Sequence, residues 1–206
     1  MTISADEVNK LKRAPAIEGL LPLFLERWSP RSFADREVSR ADLKRVFEAA
    51  RWAPSSGNAQ PWRFIVGTQG TETHAKLTSV LASFNKEWAS KAPVLILGTT
   101  NAVNARGAAN AYAMYDLGAA AVSITLAAEA LGLATHQMAG FDHDAARREF
   151  GIPEAYAIGS VMALGYQDEP AALSNEELIS RETAPRTRKP LSEMVFSAWD
   201  EPAAFD

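Results

Sequence analysis

The chain of 206 residues contains no cysteine. That absence excludes disulfides, iron–sulfur clusters, thiolate zinc and cysteine nucleophiles together. It also suits a cytoplasmic setting. There is no basic excess, since 25 acids outnumber 21 bases for a net charge of −4. Nucleic acid is therefore not an expected partner. No apolar run is long enough for a bilayer. The richest, from Ala108 to Leu133, is broken by Asn110, Asp116 and Glu129, and a span needs about 20 apolar residues. A buried or interface helix is expected there, and no membrane. The opening MTISADEVNK carries early acids and no apolar stretch, so it does not read as a signal peptide. Three catalytic signatures are missing as well. There is no G-x-S-x-G elbow, no G-x-G-x-x-G after a strand and no phosphate-binding P-loop. His136 and His143 stand seven apart with no carboxylate at a ligand spacing, so no metal site is expected.

What is present reads as one domain over residues 1–206, without repeats or a linker. A helix and an entry loop around Pro15 precede Leu20. SRADLKRVFEAARWA (Ser39–Ala53) predicts a helix with Ser39 as N-cap, Asp42 three residues on, and Leu43, Val46, Phe47 and Ala50 on one face. Pro54 stops it. Strands are expected over Arg63–Thr68, Pro93–Thr100, Ala134–Phe141 and Tyr156–Tyr166, the second apolar enough to be buried on both faces. Helices are expected over about 71–81 and 108–131 and after Asp142. The order lacks a regular βαβ rhythm, so an α+β fold is favoured over a doubly wound sheet.

Two stretches carry chemistry. RWSPRSF places Arg27 and Arg31 four apart around Ser29, and guanidinium forks with a hydroxyl suit a phosphate. APSSGNAQPWRF follows a helix with short polar side chains, of which Asn58 and Gln60 can address the edge of a heterocycle. Each stretch alone also reads as an ordinary turn. A second basic cluster, Arg186–Lys189, is either a solvated charge run or a second arm of one anion site.

Taken in order, RWSPRSF, AARWAPSSGNAQPWRFIV, LGLATHQMAGFD, FGIPEAYAIGSVMALGY and RKPLSEMV resemble the FMN-dependent nitroreductase family, from about Glu26 to Val195. The resemblance implies a mixed, mostly antiparallel sheet flanked by helices. It implies an intertwined homodimer with FMN at the interface and the C-terminal segment reaching over the partner. By similarity Arg27, Ser29 and Arg31 hold the flavin's phosphate, ribityl chain and pyrimidine end, with Trp28 lining that end. Arg188 and Arg186 close over the phosphate. Pro54, Ser55, Ser56 and Asn58 reach the flavin from the other subunit. Gln137, Met138, Ala139 and Gly140 lie along the ring system, and Asn85 binds the pyrimidine. Ala139 stands where several relatives have glutamate, and Trp88 where many have lysine. The second change removes positive charge near the flavin N1 and O2, which leaves Arg31 to supply it.

The implied activity is transfer of hydride from NADH or NADPH through the flavin to a nitroaromatic, quinone or similar electron-poor small molecule. No side chain is assigned as a catalytic acid, base or nucleophile. The alternatives keep the flavin and change the reaction, to an enoyl or aldehyde reductase, a dehalogenase or a flavin-fragmenting enzyme, or remove turnover and leave a flavin-binding protein.

Overall fold

The computed structural model describes residues 3–104 and 106–204. Four strands form its sheet: β1 (Trp62–Thr68), β2 (Val94–Asn101), β3 (Ala134–Met138) and β4 (Tyr156–Gly165). Their order is β1-β2-β4-β3, and every pairing is antiparallel. The helices are α1 (Ala5–Lys12), α2 (Pro22–Glu26), α3 (Arg40–Arg51), α4 (Glu72–Val80), α5 (Ser83–Ala89), α6 (Ala113–Ala130), α7 (His143–Phe150) and α8 (Glu176–Thr183). A short hairpin, β5 (Phe196–Ala198) and β6 (Glu201–Pro202), follows. The fold is α+β, with helices on both faces of the sheet. No helix among the described residues is long and apolar enough to cross a membrane.

Side chains alternate across a strand, so each strand feeds two cores. Val94 and Ile96 of β2, with Met162 and Leu164 of β4, pack with Val46 of α3 and Ala120 and Ile124 of α6. Leu95, Leu97, Val161 and Ala163 face the other way, against Leu77, Trp88, Ala146 and Leu178. That is why β2 reads as an unbroken apolar run: it is covered on both sides.

Local signals set several boundaries. The Ser39 hydroxyl accepts from the Asp42 N–H at 3.0 Å and caps α3. Asp142 caps α7 by accepting from the Ala145 N–H at 2.8 Å. Gly132, at φ 71°, leaves α6 in the left-handed region. The sequence expectation for α6 began at Ala108, but the helix starts at Ala113. The preceding residues are held in a loop by a bridge between Val103 and Ala109 and by the Asn101, Asn104 and Asn110 side chains, which bond nearby N–H groups. Such local acceptors compete with helix formation. Helices α5 and α8 and the final hairpin were not expected from the sequence. All three are short, and prolines and charges obscure their periodicity.

Helix α6 lies close on the sheet because Gly159 lets it. A Cβ on Gly159 would meet the Leu117 Cδ2 at 2.5 Å, and one on Gly98 would meet Leu117 at 3.4 Å.

Candidate functional site

Strand β3 is an edge strand, and its far side has no strand partner among the described residues. Gln137, Ala139 and Gly140 are exposed along it, whereas the Met138 side chain is buried in the core, so only the Met138 main chain borders that edge. The Arg27–Arg31 segment runs beside the strand. His136 ties them: its Nδ1 donates to the Pro30 carbonyl oxygen at 3.0 Å, which fixes the tautomer. At the other end the Gly140 carbonyl accepts from Asn85 Nδ2 at 2.9 Å and from the Ala82 N–H at 3.1 Å. A Cβ on Gly140 would sit 2.6 Å from that Asn85 nitrogen. A side chain at position 140 would push the Asn85 amide from its place at the edge.

The cationic end is assembled from both termini of the chain. Arg186 donates to the Leu25 carbonyl at 2.6 Å and also to that of Arg27, so it anchors the C-terminal segment on the end of α2. This anchoring brings Arg188 near Arg27. Burial pushes the Arg27 guanidinium below its ordinary value, and Arg188 pushes it the same way, with Glu129 opposing. Arg27 also donates to the Ser29 hydroxyl at 3.4 Å. Among the described residues, no carboxylate oxygen lies within 4 Å of the guanidinium nitrogens of Arg27, Arg31, Arg186 or Arg188. Like charges that converge without a counter-ion ask for an anion.

Arg31 and its surroundings form the middle. Its guanidinium lies 5.9 Å from the Trp88 ring centroid, and its Nε is buried without a partner, as is Trp88 Nε1. Trp88 is 1% exposed and packs on His136 and Phe33. A lysine placed there would have to bury an ammonium in that wall. Two features here were invisible in the sequence. Glu182 of α8 is fully buried and accepts from the Arg31 N–H at 2.9 Å and the Ser32 N–H at 3.1 Å. Burial pushes its carboxyl up, and those hydrogen bonds and the Arg31 and Lys12 charges oppose the rise. The Trp28 ring turns away from the edge, its Nε1 donating to Asn9 Oδ1 at 2.8 Å under the Lys12 ammonium. No sequence pattern links residues 150 positions apart, and α1 has no counterpart in the motifs.

Burial holds the His136 imidazole down to about 4, and the Arg31 charge acts in the same direction. The unfolded chain then binds the extra proton between about pH 6.5 and 4, so stability rises with pH across that window. The expected loss between pH 7 and pH 4.5 is about 2–3 kcal/mol from this residue. Urea midpoints of the protein and of His136→Gln, compared over that range, measure it; parallel curves would show that His136 contributes nothing.

Pro54, Ser55, Ser56 and Asn58 do not join this edge within one chain. Their loop contains Gly57, Asn58 and Gln60 at positive φ (57°, 52° and 47°). It is pinned by the Ser56 N–H donating to Asp116 at 3.1 Å and the Gln60 N–H donating to Ser55 at 3.0 Å. Asp116 is in the first turn of α6, while Glu129, near Arg27, is in its last. Thirteen residues of helix separate them, about 20 Å at 1.5 Å per residue.

The β3 edge thus carries a two-armed arginine cluster at one end and the Asn85 amide at the other, on an antiparallel sheet sandwiched by helices. The nitroreductase family model matches residues 25–89 and 78–166, and the chain belongs to that family. It is 30% identical over 156 residues to a protein of Archaeoglobus fulgidus named provisionally as an NADH dehydrogenase/NAD(P)H nitroreductase, covering 73% of this chain and 86% of that one. A crystal structure described as an oxidoreductase containing FMN superposes with a TM-score of 0.84 at 31% identity, covering 89% of this chain and 94% of that one. A nitroreductase family protein of Clostridium difficile 630 gives 0.67 at 29% identity, covering 85% and 95%.

Proposed function

We propose that this protein is an FMN-dependent oxidoreductase that takes hydride from NADH or NADPH and passes it to small electron-poor acceptors such as nitroaromatics or quinones. The observation that carries this reading is the convergence of Arg27 and Arg188 beside Ser29, with no carboxylate within 4 Å of either guanidinium among the described residues, at one end of the β3 edge whose other end presents Asn85 and Gly140. The residues fit FMN: the arginine pair suits its phosphate, and the unpartnered Arg31 Nε is a donor for an acceptor atom of its pyrimidine. FMN, when bound, supplies the two-electron chemistry, and the protein supplies binding, orientation and charge. Arg31 would balance negative charge at the pyrimidine, in the place left without a lysine by Trp88. The β3 main chain would lie along the ring, and the small side chain of Ala139 leaves the edge open to reactants.

The active unit in this proposal is a homodimer. Loop 54–58 stands about 20 Å along α6 from the arginines, so it approaches a flavin only from a second copy. Two exposed apolar surfaces support this. On α6 they are Met114, Tyr115 and Val122; on the C-terminal segment they are Leu191, Met194 and Trp199, the last 89% exposed. Surfaces of this kind mark interaction sites.

The test is the visible spectrum of the purified protein under anaerobic conditions, before and after NADPH and then NADH. A flavin spectrum that bleaches is expected and identifies the donor. A flavin that stays oxidised with both would overturn the NAD(P)H-oxidoreductase reading and leave a flavoprotein of another reaction. A colourless protein that refuses added FMN would remove the flavin site itself.

A further inference from the structure

A cleft of about 550 Å³ opens beside loop 54–60, between the start of β1, the end of β2 and the loop that leads into α6. That volume is typical of a small-molecule site. Its lining differs in kind from that of two other clefts formed by the described residues. Those carry acids, Asp6, Glu26 and Glu129 in one and Asp35 and Asp168 in the other. Among the described residues this one is lined by a single cation, Arg63, and by no acid.

The asparagines of the cleft are oriented by the backbone. Asn101 Oδ1 accepts from the Val103 N–H at 3.0 Å. Asn104 Oδ1 accepts from the N–H groups of Arg106 and Ala108 at 2.9 and 3.1 Å. Asn110 Oδ1 accepts from the Tyr112 N–H at 3.2 Å. Only an oxygen can take those bonds, so each side-chain amide has its acceptor committed and its NH2 pointed elsewhere. Among the described residues the amide nitrogens of Asn101 and Asn104 have no partner. Arg63 is held by its own strand, one terminal nitrogen donating to the Trp62 carbonyl at 2.7 Å, and has no carboxylate within 4 Å among the described residues. Against these donors the lining also offers the Gln60 side-chain oxygen, whose NH2 partner group donates to Asn58, so the charge of Arg63 is what selects for a ligand bearing oxygens with negative charge. Tyr112, which is 59% exposed, and Pro61 give the same cleft a flat apolar flank.

We infer that this cleft binds the carboxylate-bearing end of a small aromatic electron acceptor, with Arg63 as its charge partner. Ser56 and Gln60 line the cleft and belong to the loop proposed above to approach the flavin of a second copy. The inference that the ligand is an acceptor rests on that reading. The inference that the cleft takes an aromatic carboxylate rests on the lining alone.

The experiment is calorimetric titration of the purified full-length protein, as isolated, with benzoate and with methyl benzoate, together with the visible spectrum at each step. Benzoate is expected to bind at least about tenfold more tightly than its ester, the size of one charge-assisted hydrogen bond. Arg63→Gln should remove that preference, and Arg63→Lys should restore part of it. Benzoate binding should also shift the flavin bands, since the proposed dimer brings loop 54–60 and this cleft to the flavin of the second copy. Equal binding of acid and ester, or a preference that survives Arg63→Gln, overturns the inference. A colourless protein that still binds benzoate through Arg63 would uphold the cleft and defeat the flavin reading. A yellow protein that binds benzoate without any change in the flavin bands would overturn the acceptor role.

Discussion

Replacing Arg27 and Arg188 together by alanine is expected to weaken FMN binding by about a thousandfold, as two charge-assisted contacts to one phosphate are lost. Flavin fluorescence titration of the apoprotein measures this directly. The effect should exceed that of either single change, because the two guanidiniums already sense each other and share one task. Removing only one leaves a cation near the site and relieves the repulsion it endures. The fold should survive. Arg188 is exposed and donates only to the neighbouring Thr187 carbonyl, and the side-chain bond of Arg27 is a long one to Ser29. Affinity of the unaltered protein should also fall with salt, as screening weakens partly exposed charges. A double variant that kept full flavin occupancy would defeat the phosphate assignment.

The second large effect concerns stability. Glu182→Ala is expected to cost about 3–5 kcal/mol, the range for removing one partner of a buried charge cluster. The carboxylate is fully buried and satisfies the backbone N–H groups of Arg31 and Ser32. It also faces the charges of Arg31 and Lys12. Without it the N–H groups of Arg31 and Ser32 lose their acceptor, the Arg31 and Lys12 charges lose a nearby opposite charge, and the segment that leads into the arginine cluster loses its anchor. Total stabilities run from about 5 to 15 kcal/mol, so the alanine variant approaches the limit of folding. Glu182→Gln keeps the shape and one acceptor oxygen and should lose roughly half as much. Urea unfolding of both variants gives the answer. An alanine variant within about 1 kcal/mol of the parent would show that solvent replaces the carboxylate.

The two effects are linked through one strand of chain. Residues 27 to 32 carry the guanidinium of Arg27, the hydroxyl of Ser29, the guanidinium of Arg31 and the N–H groups that Glu182 holds. His136 fixes the same segment from the sheet side through Pro30. Binding geometry at the edge and stability of the α8 contact are therefore not independent, and Glu182→Gln is expected to weaken flavin as well as fold.

By itself the sequence determined the elements whose physics is local. Ser39 and Asp142 announce their helices through side-chain caps, Gly132 ends α6, and the uninterrupted run of β2 signals a strand covered on both faces. It also determined which residue types were available for an anion, because Arg27, Ser29 and Arg31 lie within five positions. Only the tertiary structure decided what depends on residues far apart. It assigned Arg186 to backbone carbonyls and left Arg188 facing Arg27. It buried Glu182 behind Arg31 and turned the Trp28 ring toward α1. It also set the Ser55–Asn58 loop at the opposite end of α6 from the arginines. Caps and periodicity are written within a few residues of one another, whereas desolvation and the convergence of charges arise only when packing brings distant segments to the same place.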